Sequence, residues 1–383
     1  MTTPPHAHAR ALDLARTPFI VIWETTQACD LACAHCRAAA QPNPLPGELT
    51  PEEGLALIDE IAALGTPILV LSGGDPLKRP DLFELIRRAK ARGRRVGTIP
   101  AATAKLTRSV VASLKDTGLD QMALSLDAST PGAHDAFRGV PGAFRKTMDA
   151  VQWAHEAKLA VQINTVFSRR NLEDADAMIE LIERLGIVFW EVFFLVPVGR
   201  GNQVEGLAPE EFERVFAKLY ALTRRAPFIV KITEAPHFRR YVMQREPAAA
   251  RRPSASDAAL PEALRRAIGP MGTIGQAPQP INAGKGHLFI SYHGEIYPSG
   301  FLPLAAGNVR RHRLADVYRD SPVFRALRDP DRLGGRCGIC EYRDACGGSR
   351  ARAYATTGDY LAEEPGCAYV PRVQAGQPAS CAG

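Results

Sequence analysis

Phe19-Ile-Val-Ile-Trp-Glu24 and, four residues on, Cys29-Asp-Leu-Ala-Cys33-Ala-His-Cys36 form the stretch that decides the fold. A short apolar run bounded by polar residues predicts a buried strand. The loop after it carries three thiols at a C-x3-C-x2-C spacing, with the aromatic His35 before the last. Three thiolates can hold three irons of a cubane and leave the fourth iron without a protein ligand. The alternative is a zinc knuckle with His35 as the fourth ligand.

Outward from this loop, apolar runs alternate with amphipathic stretches. Strands are predicted at Phe19–Glu24, Ile68–Leu71, Arg95–Ile99, Gln121–Leu126, Ala160–Phe167 and Val188–Val196. Helices are predicted at Pro51–Leu64, Pro80–Arg92, Leu106–Thr117, Gly142–Ala157 and Asn171–Leu185. Thr50 followed by Pro51 and Glu53 has the pattern of a capping box. Gly65, Gly93 and Gly118 stand where C-cap glycines stand. Six strand–helix repeats imply an α/β fold with a parallel sheet covered on both faces. Six falls short of eight, so the expectation is an open, partial (β/α)6 TIM-like barrel. Its chemistry should gather at the C-terminal strand ends, where the cysteine loop lies. Leu207–Tyr220 adds a helix and Phe228–Thr233 a terminal strand.

The expected organisation is an N-terminal extension (1–17), the barrel (18–235), a linker or mobile segment that could cover substrate (236–286) and a cysteine-rich module (287–383). His287–Ser291 and Glu295–Pro298 around His293-Gly294 read as a hairpin.

The chain has 383 residues, 46% hydrophobic and 23% charged, with a formal charge of +6. That charge is too small for a dedicated nucleic-acid binder but suits an acidic small substrate. Residues 1–17 contain no apolar run, so they are not read as a secretory signal. The best candidate span, Ile187–Val198, is interrupted by Glu191, so a soluble, cytoplasmic protein without a membrane partner is expected.

The eight cysteines fall at 29, 33, 36, 337, 340, 346, 367 and 381. Two tight clusters at opposite ends fit two metal sites better than a disulfide framework. Cys337, Cys340, Cys346 and Cys367 make C-x2-C-x5-C-x20-C, enough thiolates to saturate a metal. A four-cysteine zinc ribbon is the alternative for this module taken alone. Cys381, in an Ala/Gly-rich tail, reads as unliganded, with swinging in as a ligand the alternative.

Over Phe19 to about Val198 these features resemble the radical SAM superfamily. That resemblance implies a 4Fe–4S cluster on Cys29, Cys33 and Cys36, with S-adenosylmethionine (SAM) at the open iron. It further implies reductive cleavage to a 5′-deoxyadenosyl radical that abstracts hydrogen, and an electron donor of flavodoxin or ferredoxin type. Ser72-Gly73-Gly74-Asp75-Pro76 stands where the family carries Gly-Gly-Glu-Pro against the SAM amino group; a simple turn is the plain alternative. Ser125 and Asp127 look like residues facing the SAM ribose or the substrate, or a helix N-cap pair. Asn164 resembles a SAM-contacting position, or a buried structural asparagine. Arg200, in Pro197-Val-Gly-Arg-Gly, could bind a carboxylate or cap the barrel rim.

The C-terminal pattern resembles the SPASM/twitch extension, in which four thiolates hold an auxiliary 4Fe–4S cluster. Proteins of that kind with two auxiliary clusters carry Cys where this chain has Ser299, so one auxiliary cluster is expected. Ser-Gly-Gly-Asp-Pro-Leu, Tyr-Pro-Ser-Gly-Phe-Leu-Pro and Cys-Gly-Gly-Ser-Arg-Ala-Arg-Ala-Tyr resemble the branch of heme d1 biosynthesis and iron-coproporphyrin decarboxylation. This implies a tetrapyrrole substrate, and Arg239, Arg240, Arg251, Arg252, Arg265 and Arg266 would suit its carboxylates, or merely solvate helices. A peptide maturase has the same architecture. A non-catalytic iron–sulfur carrier leaves the Gly-Gly-Asp-Pro loop unexplained, and a zinc-dependent binding module explains only the C-terminal cysteines.

Overall fold

The computed structural model describes residues 12–246 and 280–375. Arg251, Arg252, Arg265, Arg266, Cys381 and most of the expected linker lie outside these residues.

Seven strands, Ile20–Glu24 (β1), Ile68–Ser72 (β2), Arg95–Thr98 (β3), Gln121–Ser125 (β4), Ala160–Phe167 (β5), Phe189–Phe194 (β6) and Ile229–Thr233 (β7), pair in chain order and in parallel. The helices between them are Pro51–Ala63 (α1), Leu82–Ala91 (α2), Arg108–Asp116 (α3), Pro131–Arg138 (α4), Ala143–Glu156 (α5), Ala175–Arg184 (α6) and Pro209–Thr223 (α7). Alternation within each strand sends one set of side chains under the helices. Trp23, Leu71, Leu124, Ile163 and Trp190 belong to that core, and each is fully buried. The other set faces the lumen, where Ser72, Ser125, Asn164 and Phe193 border a cleft. The expected capping box forms: Thr50 Oγ accepts from Glu53 N at 3.3 Å, and Thr50 N donates to Glu53 at 2.8 Å.

Two features depart from the sequence expectation. His237–Arg245, inside the expected linker, is a helix (α8) that buries His237, Phe238, Arg240 and Tyr241. The expected hairpin forms, but its first strand also joins the barrel sheet. Asn282–Ala283 (β8) pairs with Gly286–Ile290 (β9), and β9 runs parallel to β1 with Ile20 beside His287. Glu295–Tyr297 (β10) and Gly307–Asn308 (β11) extend the sheet antiparallel. Strand β1 is therefore paired on both edges.

The rest of the C-terminal third consists of short helices, Leu314–Asp320 (α9), Pro322–Arg328 (α10), Gly335–Gly338 (α11) and Arg350–Thr357 (α12), joined by loops. Arg352 fastens this region to the barrel. It pairs with the buried Glu364 and donates to the carbonyls of Phe194, Leu195 and Glu234. Among the described residues no helix is long and apolar enough to cross a membrane.

Candidate functional site

The cysteine loop leaves β1 and folds back under the loop that follows β6. Arg200 N donates to Cys36 O at 3.0 Å, and its guanidinium donates to Cys33 O at 2.9 Å and Ala40 O at 3.1 Å. Gly199 permits this approach. Its φ is +56°, and a Cβ there would lie 2.2 Å from Arg37 O. Arg200 thus holds the cysteine loop by its carbonyls and is not among the residues that line the cleft.

The cleft opens at the C-terminal strand ends. Cys29, Cys33, Cys36, Gly73, Gly74, Ser125 and Asn164 all line it. Asp75 and Asp127 do not. Asp75 is fully buried and accepts from Leu77 N, Ala101 N and Thr103 Oγ, so its carboxylate shapes the loop wall. Asp127 accepts from Val166 N and forms an ion pair with Arg138. Burial works against its charge, but Arg138, the neighbouring histidines and the Val166 N–H together hold the carboxyl below its usual range. The glycines are needed for packing as well as for access. A Cβ on Gly74 would lie 2.5 Å from Ala28 O, and one on Gly73 2.8 Å from Thr26 O.

Among the described residues no three His, Cys, Asp or Glu side chains form a closed grip on a single ion. The thiols instead line a cavity and already have donors. Leu31 N meets Cys29 Sγ at 3.4 Å, Ala40 N meets Cys36 Sγ at 3.5 Å and Arg138 meets Cys33 Sγ at 3.6 Å. Burial pushes the Cys29 thiol up to about 12, so a thiolate there needs a cationic partner, as bound iron would be. The residues fit an iron–sulfur group with room beside it.

Sequence reading missed Arg138, His134, Arg37, Phe193 and Phe301, which also line the cleft. His134 and Arg138 lie four apart on α4, the spacing that puts both on one helix face. That was the available signal. His134 Nδ1 accepts from Asp127 N at 3.1 Å. Burial lowers both His134 and His35 to about 4, so each is neutral near pH 7. Arg37 pairs with Glu24 and lies over Phe289 at 4.6 Å, and Phe193 packs on Phe301 at 6.1 Å.

Cys337, Cys340, Cys346 and Cys367 line a second cavity. Glu364 N meets Cys337 Sγ at 3.3 Å, Gly348 N meets Cys346 Sγ at 3.5 Å and Arg350 reaches Cys337 Sγ at 3.9 Å. Burial pushes Cys346 up to about 12 and raises Cys340 and Cys367. Ser299 lies apart from this cavity and donates to Glu234 at 3.3 Å. Neither Arg239 nor Arg240 is free for a substrate. Arg239 holds Asn282, Ile281 O and Ala345 O, and Arg240 holds Glu213 and Gln244.

The sequence pattern of the Radical SAM superfamily matches residues 23–182. The chain is 40% identical to an AdoMet-dependent heme synthase of Methanosarcina barkeri, over 94% of this chain and 98% of that protein. It is 28% identical to the pre-heme d1 synthase of Dinoroseobacter shibae, over 91% and 85%. Among solved structures, Streptococcus suis SuiB bound to S-adenosylmethionine superimposes with a TM-score of 0.68, covering 92% of this chain and 78% of that one. At 15% identity that likeness shows a shared fold.

Proposed function

This chain belongs to the radical SAM superfamily, and on that premise we propose that it modifies or decarboxylates the carboxylate side chains of a tetrapyrrole. Membership implies a 4Fe–4S cluster and SAM, which when bound supply one-electron cleavage of the sulfonium and hydrogen abstraction from substrate. Cys29, Cys33 and Cys36 would hold the cluster, and Gly73, Gly74, Ser125 and Asn164 would hold SAM. Asp127 sets Arg138 against the cysteine loop, while Arg200 and Asp75 keep the walls in place. Cys337, Cys340, Cys346 and Cys367 would hold an auxiliary 4Fe–4S cluster in a saturated site, and an external one-electron donor would feed the enzyme.

The observation that carries the substrate reading is the end-to-end likeness to a heme synthase. The cleft supports it in kind through its lining. The Phe193–Phe301 wall offers a face to a flat ring.

Anaerobic turnover with dithionite and SAM tests this, with iron-coproporphyrin III and a panel of candidate peptides offered in parallel. The expected outcome is loss of porphyrin carboxylates matched to 5′-deoxyadenosine. Peptide modification with untouched porphyrin would overturn it.

A further inference from the structure

His237 opens α8 and is fully buried. Its ring packs against Phe212 at 5.0 Å and Phe216 at 4.9 Å, both on α7. Neither ring nitrogen has a hydrogen-bond partner. The Gly366 backbone lies alongside, but without hydrogen-bond distance and angle. A buried donor with nothing to bond is costly, and native proteins rarely leave one so. His237 lines the cavity of the four C-terminal thiols and is the lone histidine among the lining side chains. Arg240, one turn along, lines the same cavity. Its Nε is also unpartnered, although its other nitrogens hold Glu213 and Gln244. Two side chains of one helix that carry unpartnered buried nitrogens thus line a cavity built of sulfur.

We propose that His237 donates a hydrogen bond to the inorganic group held by Cys337, Cys340, Cys346 and Cys367, and that this bond raises its reduction potential. The inference rests on the auxiliary iron–sulfur reading of that cavity. Four thiolates make the group anionic, and reduction adds further negative charge. An N–H aimed at its sulfur stabilises the reduced form more than the oxidised one, and hydrogen bonds to sulfur are a known lever on such potentials. In a buried site the interaction is screened little. The competing role is plain packing between two phenylalanines, which a phenyl ring would fill equally well.

The test compares the full wild-type chain, His237→Phe and His237→Gln after anaerobic reconstitution. It uses iron and sulfide content, redox titration of the auxiliary paramagnetic signal, and electron–nuclear double resonance on protein labelled with ¹⁵N-histidine. With iron retained, the Phe variant should lower the reduced-to-oxidised ratio at the wild-type midpoint about tenfold, which is about 59 mV for one electron. The Gln variant, whose amide still donates, should recover most of that. Wild type should show a ¹⁵N coupling that the Phe variant lacks. Zinc in place of iron on the C-terminal cysteines would defeat the underlying reading. A cluster with unchanged potential and no ¹⁵N coupling would defeat the proposal alone. If the Phe variant cannot hold iron, the wild-type ¹⁵N coupling decides, and its absence is fatal.

Discussion

At Cys29–Cys36 the thiols sit on a loop leaving a strand paired on both edges, and a side chain from across the barrel meets the loop's carbonyls. At Cys337–Cys367 the thiols come from a four-residue helix and irregular loops, fastened to the barrel through Arg352 and Glu364. The first site is thus shaped by a scaffold that exists without its cofactor. The second has few regular hydrogen bonds of its own, so a bound group must supply much of its order, as in small metal-stapled domains. The surrounding charge differs as well. The first cavity offers its sulfurs two amides and one arginine, and the second two amides and Arg350, with Arg240 and the buried His237 in its wall.

The largest effect should come from matched cysteine deletions. Replacing Cys29, Cys33 and Cys36 by Ala should reduce 5′-deoxyadenosine formation to background while circular dichroism stays close to wild type. Replacing Cys340 and Cys346 should spare some uncoupled SAM cleavage, abolish substrate conversion and make the C-terminal third sensitive to protease. A triple variant that still cleaves SAM, or a double variant that still converts substrate at the wild-type rate, breaks the comparison.

A middling effect is expected at the clamp behind the first loop. Arg200→Ala removes the donors to Cys33 O and Ala40 O, a cost of about 1–3 kcal/mol for buried acceptors left bare. Iron should then pass to a chelator several-fold faster from the N-terminal site, with the C-terminal site unaffected. Gly199→Ala, forced against Arg37 O, should behave worse. Equal iron loss from both sites would show that the clamp is not local.

The smallest concerns pH and the joint between the two halves. Burial lowers His287 to about 4, and its Nδ1 contacts Pro298 O at 3.1 Å. Unfolded, it would titrate near 6.5. Between these values the unfolded chain binds the proton and the folded chain does not, so stability is full above about pH 6.5 and falls as pH drops toward 4. The loss is about 1 kcal/mol at pH 5.5. Urea midpoints of wild type and His287→Asn across that window check it, and a variant with the same pH slope as wild type rules it out.

Local features of the chain were legible in the sequence because they are encoded locally. The Thr50–Glu53 box, the positive φ at Gly65, Gly93 and Gly118, and most strand bounds within two residues follow from neighbours in sequence. Helix α8 was hidden because its buried face mixes His237, Phe238, Arg240 and Tyr241, so arginine masks the apolar stripe. The pairing of β9 with β1 joins Ile20 to His287, and no local pattern announces such a contact. At the first site, the cleft-lining glycines, Ser125 and Asn164 could be anticipated. The inward or outward turn of Asp75, Asp127 and Arg200 could not, because it depends on which backbone groups other loops leave unpaired. Arg138 shows the converse: its partner Asp127 was noticed, but the ion pair between them closes only in three dimensions.

The parallel seam between β1 and β9 bears on how the protein is made. On a ribosome, β2 emerges soon after β1 and can cover one edge. The other edge of Phe19–Glu24 must wait for residues roughly 270 positions later, tens of seconds at roughly 5–20 residues per second. During that wait an apolar strand edge stands open beside three bare thiols, the kind of edge that recruits other chains. A nascent chain of this design therefore benefits from a chaperone until its last third arrives, and truncation before residue 286 should yield aggregates instead of a smaller working barrel.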